Sequence, residues 1–114
     1  MKDGHYFNEY QEEVWVQGGK LHREDGPAVI ESNGTLWWFQ NDEHHREDGP
    51  AIHWPDGSQH WYTNGVLHRL DGPAIIDGDE KEYWIDGTQY DNDLQWRIEV
   101  QRLKRKEKEK NDKE

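Results

Sequence analysis

The chain contains no cysteine, which excludes disulfides, thiolate zinc sites and cysteine nucleophiles together. Aliphatic material is also scarce: AVILMFWYC residues make up 31% of the 114 positions, with one Met and two Phe, while 34% are charged. No apolar run approaches the roughly 20 residues of a membrane-spanning helix. Met1-Lys2-Asp3 opens no signal peptide, so the expected location is the cytoplasm, with no membrane partner. Positive charge is short where the chain is longest. Residues 1–91 hold six Lys/Arg against nineteen Asp/Glu, residues 92–114 hold eight against six, and the whole carries −11. An acidic body does not draw nucleic acid or anionic lipid; the partner it attracts is a protein with a basic surface.

So little apolar residue would suit a disordered chain, but seven Trp and five Tyr do not. Each buried ring removes about 150–250 Å² from water, so a few of them suffice for a modest core.

The rings are periodic. HREDGPA runs from His22 to Ala28, returns unchanged from His45 to Ala51, and recurs as HRLDGPA from His68 to Ala74. Trp15, Trp38, Trp61 and Trp84 keep the same 23-residue spacing. A period of this length signals stacked supersecondary units. The fold class expected is all-β: about four tandem 23-residue β-hairpin repeats stacked in a twisted antiparallel array, plus one C-terminal α-helix. Residues 1–91 form the hairpin domain in this reading, and 92–114 the helix and charged tail.

Two hairpins are punctuated clearly. Ala28–Ser32 and Thr35–Gln40 flank Asn33-Gly34, and Ala51–Pro55 and Ser58–Thr63 flank Asp56-Gly57. Two-residue type I′ turns at these dipeptides set Val29 opposite Trp38, Ile52 opposite Trp61 and His53 opposite His60. If the third unit keeps the spacing, Ile75 faces Trp84 and Ile76 faces Tyr83. A Val/Ile–Trp ladder is then the expected core. The opposite face mixes rings with His, and its Trp37, Phe39, His53, His60, Tyr62 and Tyr83 are the expected protein-binding residues.

Asp91–Lys110 is rich in helix formers, with Asp91 or Asp93 as the expected cap. Trp96, Val100 and Leu103 at i, i+4 and i+7 would dock it on the last hairpin, against a competing strand-like alternation of Leu94, Trp96, Ile98 and Val100. The final KRKEKEKNDKE reads as a frayed, solvated tail.

HREDGPA holds a His, an Arg and carboxylates, the makings of an acid–base site. Active sites are seldom written three times, though, and Glu24 and Glu47 give way to Leu70 in the third copy. A structural corner is the better reading, built from His22, Arg23 and Asp25, from His45, Arg46 and Asp48, and from His68, Arg69 and Asp71. In that corner Gly26 supplies unusual φ angles, Pro27 starts a strand, Asp25 accepts from the Ala28 N–H, and Arg23 reaches Asp25 or the next corner's Asp48. No catalytic residues and no cofactor are expected. His53 with His60 supplies two ligands, too few for a tight metal site.

The stretch from Trp61 to Ala74, of the form W-x-x-N-G-x-x-H-R-E-D-G-P-A with Leu70 in place of the Glu, resembles a repeat of bacteriophage and bacterial proteins similar to variants of the membrane occupation and recognition nexus (MORN) repeat. The resemblance spans about residues 13–90. It implies stacked hairpins and a scaffold or binding role. It also implies a phage-encoded inhibitor, acting in host cytoplasm on a host defence or nucleic-acid-handling protein. Two rivals come from other classes: a nucleotide sponge using rings and Arg, and a self-assembling structural piece.

Overall fold

Asn33-Gly34 and Asp56-Gly57 close hairpins, but through three-residue loops. In the computed structural model, which describes residues 1–112, Gly34 and Gly57 take φ of 95° and 92°, while Asn33 and Asp56 stay out of the left-handed region. The Gly34 N–H donates to Glu31 O and the Glu31 N–H to Thr35 O; Gly57, Trp54 and Ser58 repeat this bonding. Asn33 Oδ1 accepts from the Thr35 N–H and Asp56 Oδ1 from the Ser58 N–H, each at 2.9 Å. This is a type I turn followed by a left-handed glycine, the three-residue hairpin loop.

One extra loop residue moves the register by one, and a one-residue slip exchanges the faces. Val29 on β4 (Val29–Ile30) pairs with Trp37 on β5 (Leu36–Trp37), not with Trp38. Ile52 on β8 (Ile52–His53) pairs with His60 on β9 (Gln59–His60), and His53 with Gln59. The expected Val/Ile–Trp ladder and the His53–His60 pair are therefore corrected. The third loop is shorter: only Gly78 (φ 62°) and Asp79 separate β12 (Ile75–Asp77) from β13 (Glu80–Ile85). Ile75 meets Glu82 and Ile76 meets Lys81, not Trp84 and Tyr83. The shorter loop also places Trp84 one strand position beyond Trp38 and Trp61. The Arg23 and Arg46 N–H groups donate to the carbonyls of Phe39 and Tyr62, but that of Arg69 donates to Trp84.

The type I′ turns lie elsewhere. Both central residues are left-handed at Gly18-Gly19, Asn41-Asp42, Asn64-Gly65 and Asp86-Gly87. They join β2 (Glu13–Gln17) to β3 (Lys20–Leu21), β6 (Phe39–Gln40) to β7 (Glu43–His44), β10 (Tyr62–Thr63) to β11 (Val66–Leu67), and β13 to β14 (Thr88–Tyr90).

The chain is mostly antiparallel sheet. With β1 (Gly4–Phe7) at one edge, the main sheet runs β1-β2-β4-β5-β8-β9-β12-β13-β14, β3 adding to β2; β6-β7 and β10-β11 form separate ribbons. The molecule is 18 Å along its shortest axis, so most rings are only half-buried. Ala28, Ala51 and Ala74 are fully buried. Val14, Val16 and Val29 make one core, with Tyr6, Leu21, Trp37 and Phe39 packed against it.

The helix α1 (Asp93–Asp112) makes the second core, setting Trp96 and Val100 on Ile85, with Tyr83, Tyr90 and Leu103 around them. Its cap is Asn92, whose Oδ1 accepts from the Gln95 N–H at 2.9 Å, replacing the expected Asp91 or Asp93. The segment expected to fray is helical through Asp112, with residues 113–114 outside the described residues. Its Lys and Glu are exposed, but each helical residue adds a backbone bond to a helix already anchored by Trp96.

Candidate functional site

Each corner is built around a guanidinium. Arg23 lies over the Trp15 ring at 3.8 Å, Arg46 over Trp38 at 4.0 Å and Arg69 over Trp61 at 3.7 Å. The same guanidinium donates through Nε to the Asp two residues on, at 3.2, 3.2 and 2.8 Å. Through Nη1 it donates to the carbonyl of Pro27, Pro50 or Pro73 at 3.1, 3.2 and 3.0 Å. Arg23 thus pairs within its own corner and does not reach Asp48. Asp25 accepts from Arg23, while the Ala28 N–H donates to Trp37 O, which corrects the expected Asp25–Ala28 bond.

The glycine serves this stack. Gly26, Gly49 and Gly72 have no positive φ. A Cβ on them would stand 2.6, 2.5 and 2.7 Å from the Arg Cζ. Space for the guanidinium, rather than backbone freedom, demands glycine there.

The corner histidines hold the following type I′ turn. Nδ1 of His22, His45 and His68 accepts from the N–H of Asn41, Asn64 and Asp86 at 3.2, 2.9 and 3.0 Å. Nε2 of His22 and His45 points at Glu24 and Glu47, 3.6 and 3.7 Å away. Each corner Asp is held by Arg rather than by His. Among the described residues the motif's own His and Asp are thus not bonded to each other, while His68 Nδ1 lies 3.2 Å from Asp86 Oδ1.

The opposite face carries rings. Trp37 and Phe39 stack at 6.4 Å, Phe39 meets His44 at 4.4 Å, and His44 meets Tyr62 at 5.0 Å. His60 meets Trp54 at 4.7 Å and Tyr62 at 6.4 Å, and Trp54 meets Trp37 edge-on at 6.1 Å. All six side chains are half-buried. Burial lowers the pKa of His44, with His60 adding to the shift, and burial lowers that of His60 against the opposing pull of Asp77 and Glu82. Burial raises Tyr62. His44 Nδ1 and Trp37 Nε1 are buried without a partner among the described residues.

Of the six residues expected here, Trp37, Phe39, His60 and Tyr62 come together. His53 alternates to the other side of the sheet, because its neighbour Ile52 pairs with Trp37. Tyr83 packs on Trp96 at 5.1 Å, beneath the helix. His44 and Trp54 join the cluster from outside the expected set. His44 had a signal, since it stands where Leu21 and Leu67 occupy the corresponding positions; Trp54 lies off the 23-residue spacing and had none.

Among the described residues no three His, Asp or Glu converge as a metal site, and no helix is long and apolar enough to cross a membrane. No protein-family model matches the chain, and neither a curated protein nor a solved structure matches it.

Proposed function

We propose that the chain is a non-catalytic, acidic protein-binding module, assembled from about four tandem hairpin units of MORN-like type stacked on one another. The single observation behind this reading is the contiguous, half-exposed patch of Trp37, Phe39, His44, Trp54, His60 and Tyr62. Aromatic residues are enriched at the centres of protein interfaces, and the surrounding carboxylates would steer a basic partner. The partner class is a host defence or nucleic-acid-handling protein, with the chain acting as a phage-encoded inhibitor.

The test is capture from nuclease-treated bacterial lysate, read by native mass spectrometry, with the Tyr62→Ala and Trp54→Ala variants alongside. One stoichiometric protein lost on both variants, while both retain the parent's circular dichroism, supports the reading. A nucleotide carried through purification, or self-oligomers alone, sinks it in favour of the sponge or the assembly piece.

A further inference from the structure

The corner side of the sheet presents two adjoining clefts, of about 370 and 610 Å³, that share Arg46, Glu47 and Asp48 as their common wall. The smaller holds Trp38, His45, Glu24 and Glu47. The larger holds Trp61, Thr63, Leu70 and Lys104. Their charges differ. Glu24 and Glu47 are 80% and 85% exposed and leave the smaller cleft acidic. In the larger, Leu70 replaces that glutamate and Lys104 of α1 adds a cation, so its charges balance.

The spacing is set by the sheet. Successive corners feed β4, β8 and β12, each two strands apart in the order. With neighbouring strands about 4.8 Å apart, equivalent points lie about 9.6 Å from one another. A polyproline-II helix advances about 9.3 Å in three residues and returns the same face every third residue. A β-strand covers a similar distance, but residues i and i+3 point to opposite sides.

A donor awaits such a chain. His45 is only 8% exposed; its Nδ1 is taken by the Asn64 N–H, which leaves the hydrogen on Nε2, and Glu47 at 3.7 Å is beyond hydrogen-bond reach. The carbonyls of polyproline II have no internal partners, and Trp-walled grooves are a recurrent seat for this conformation.

We infer that the corner face binds a polyproline-II segment in which Arg or Lys stands three residues from a proline. The basic side chain enters between Glu24 and Glu47, and the proline rests on Trp61 and Leu70, where Lys104 repels a second cation. This rests on the protein-binding reading and adds a second, chemically specific surface to it.

The experiment is calorimetric titration of the full chain with proline-rich peptides carrying one Arg placed two, three or four residues from the anchoring proline, in both chain directions. Saturable one-to-one binding, tightest at three-residue spacing, is expected. The double variant Glu24→Gln/Glu47→Gln should bind about threefold more weakly or worse, exposed ion pairs each contributing a factor of about 1.5 to 5. Lys104→Glu should shift preference toward a peptide with Arg at both anchors. Circular dichroism confirms that each variant is folded. Binding that ignores the spacing, or that survives the double Gln variant but falls with Tyr62→Ala, overturns the corner-face assignment. If no peptide binds while a captured protein is still lost on Tyr62→Ala, this inference fails and the protein-binding reading stands.

Discussion

Arg46 and Gly49 are one unit read as two residues. A methyl at Gly49 would occupy the guanidinium's place, so Gly49→Ala should expel Arg46 from Trp38 and cost about 1–3 kcal/mol. Overpacking at this point and the lost cation–π contact have the same cause, so the costs are not additive. In an Arg46→Ala background the same Gly49→Ala change should be close to neutral in urea unfolding. Additive effects would break the link. The histidines of the ring face carry a second prediction. His44 and His60 both titrate below the ordinary 6.5, so between the folded and unfolded values the unfolded chain binds more protons. Stability is complete above about pH 6.5 and falls as the pH drops below it. Melting temperature should therefore decline from pH 7.5 to 5.5, and less steeply in His44→Leu, which restores the residue present at Leu21 and Leu67. An equally steep decline in that variant would remove His44 from the account.

At the scale of elements, the two loop types respond oppositely to glycine. In a type I′ turn Asn33→Gly would be neutral or favourable. Here Asn33 is not left-handed and its Oδ1 holds the Thr35 N–H, so Asn33→Gly should cost about 1 kcal/mol in chemical denaturation, the usual net worth of one hydrogen bond. The helix makes a matching case. Asn92→Ala removes the bond to the Gln95 N–H and should cost about 0.5–2 kcal/mol. Trp96→Ala should cost about 3–5 kcal/mol, because the ring fills the core with Ile85 and donates to Arg69 O at 3.1 Å. A Trp96 variant that melts with the parent would mean the helix is not docked. Hairpins, the helix and its apolar stripe were legible in the sequence. The loop type was not, since Asn-Gly and Asp-Gly suit both two- and three-residue hairpins and only the backbone bonding separates them.

For the whole molecule, a net −11 is carried by a body 18 Å along its shortest axis together with its terminal helix, where like charges repel across short distances. Salt screens such fields over about 10 Å at 0.1 M. Melting temperature should rise between 10 and 300 mM sodium chloride; a fall would mean that the Arg–Asp pairs of the corners outweigh the general repulsion. The same thinness explains why Trp15, Trp38, Trp61 and Trp84 are all half-buried. A sheet this thin cannot hide large rings, so the molecule lays a guanidinium on one face of three of them and leaves the Trp37–Tyr62 patch open.

By itself the sequence determined the 23-residue spacing, the β-rich class with its terminal helix, the acidic body, and the grouping of His, Arg and Asp into recurring corners. These follow from local chemistry: turn formers, ring spacing and charge are properties of neighbouring residues. Which tryptophan faces which strand was decided only in three dimensions. A single additional loop residue moved Trp38 from the strand ladder to Arg46 and carried His53 away from His60. The role of Gly49 was likewise invisible in one dimension, because the atom that excludes a side chain there belongs to a guanidinium three residues earlier, folded back over a ring. Register and close approach are relations between segments, and the folded sheet alone fixes them.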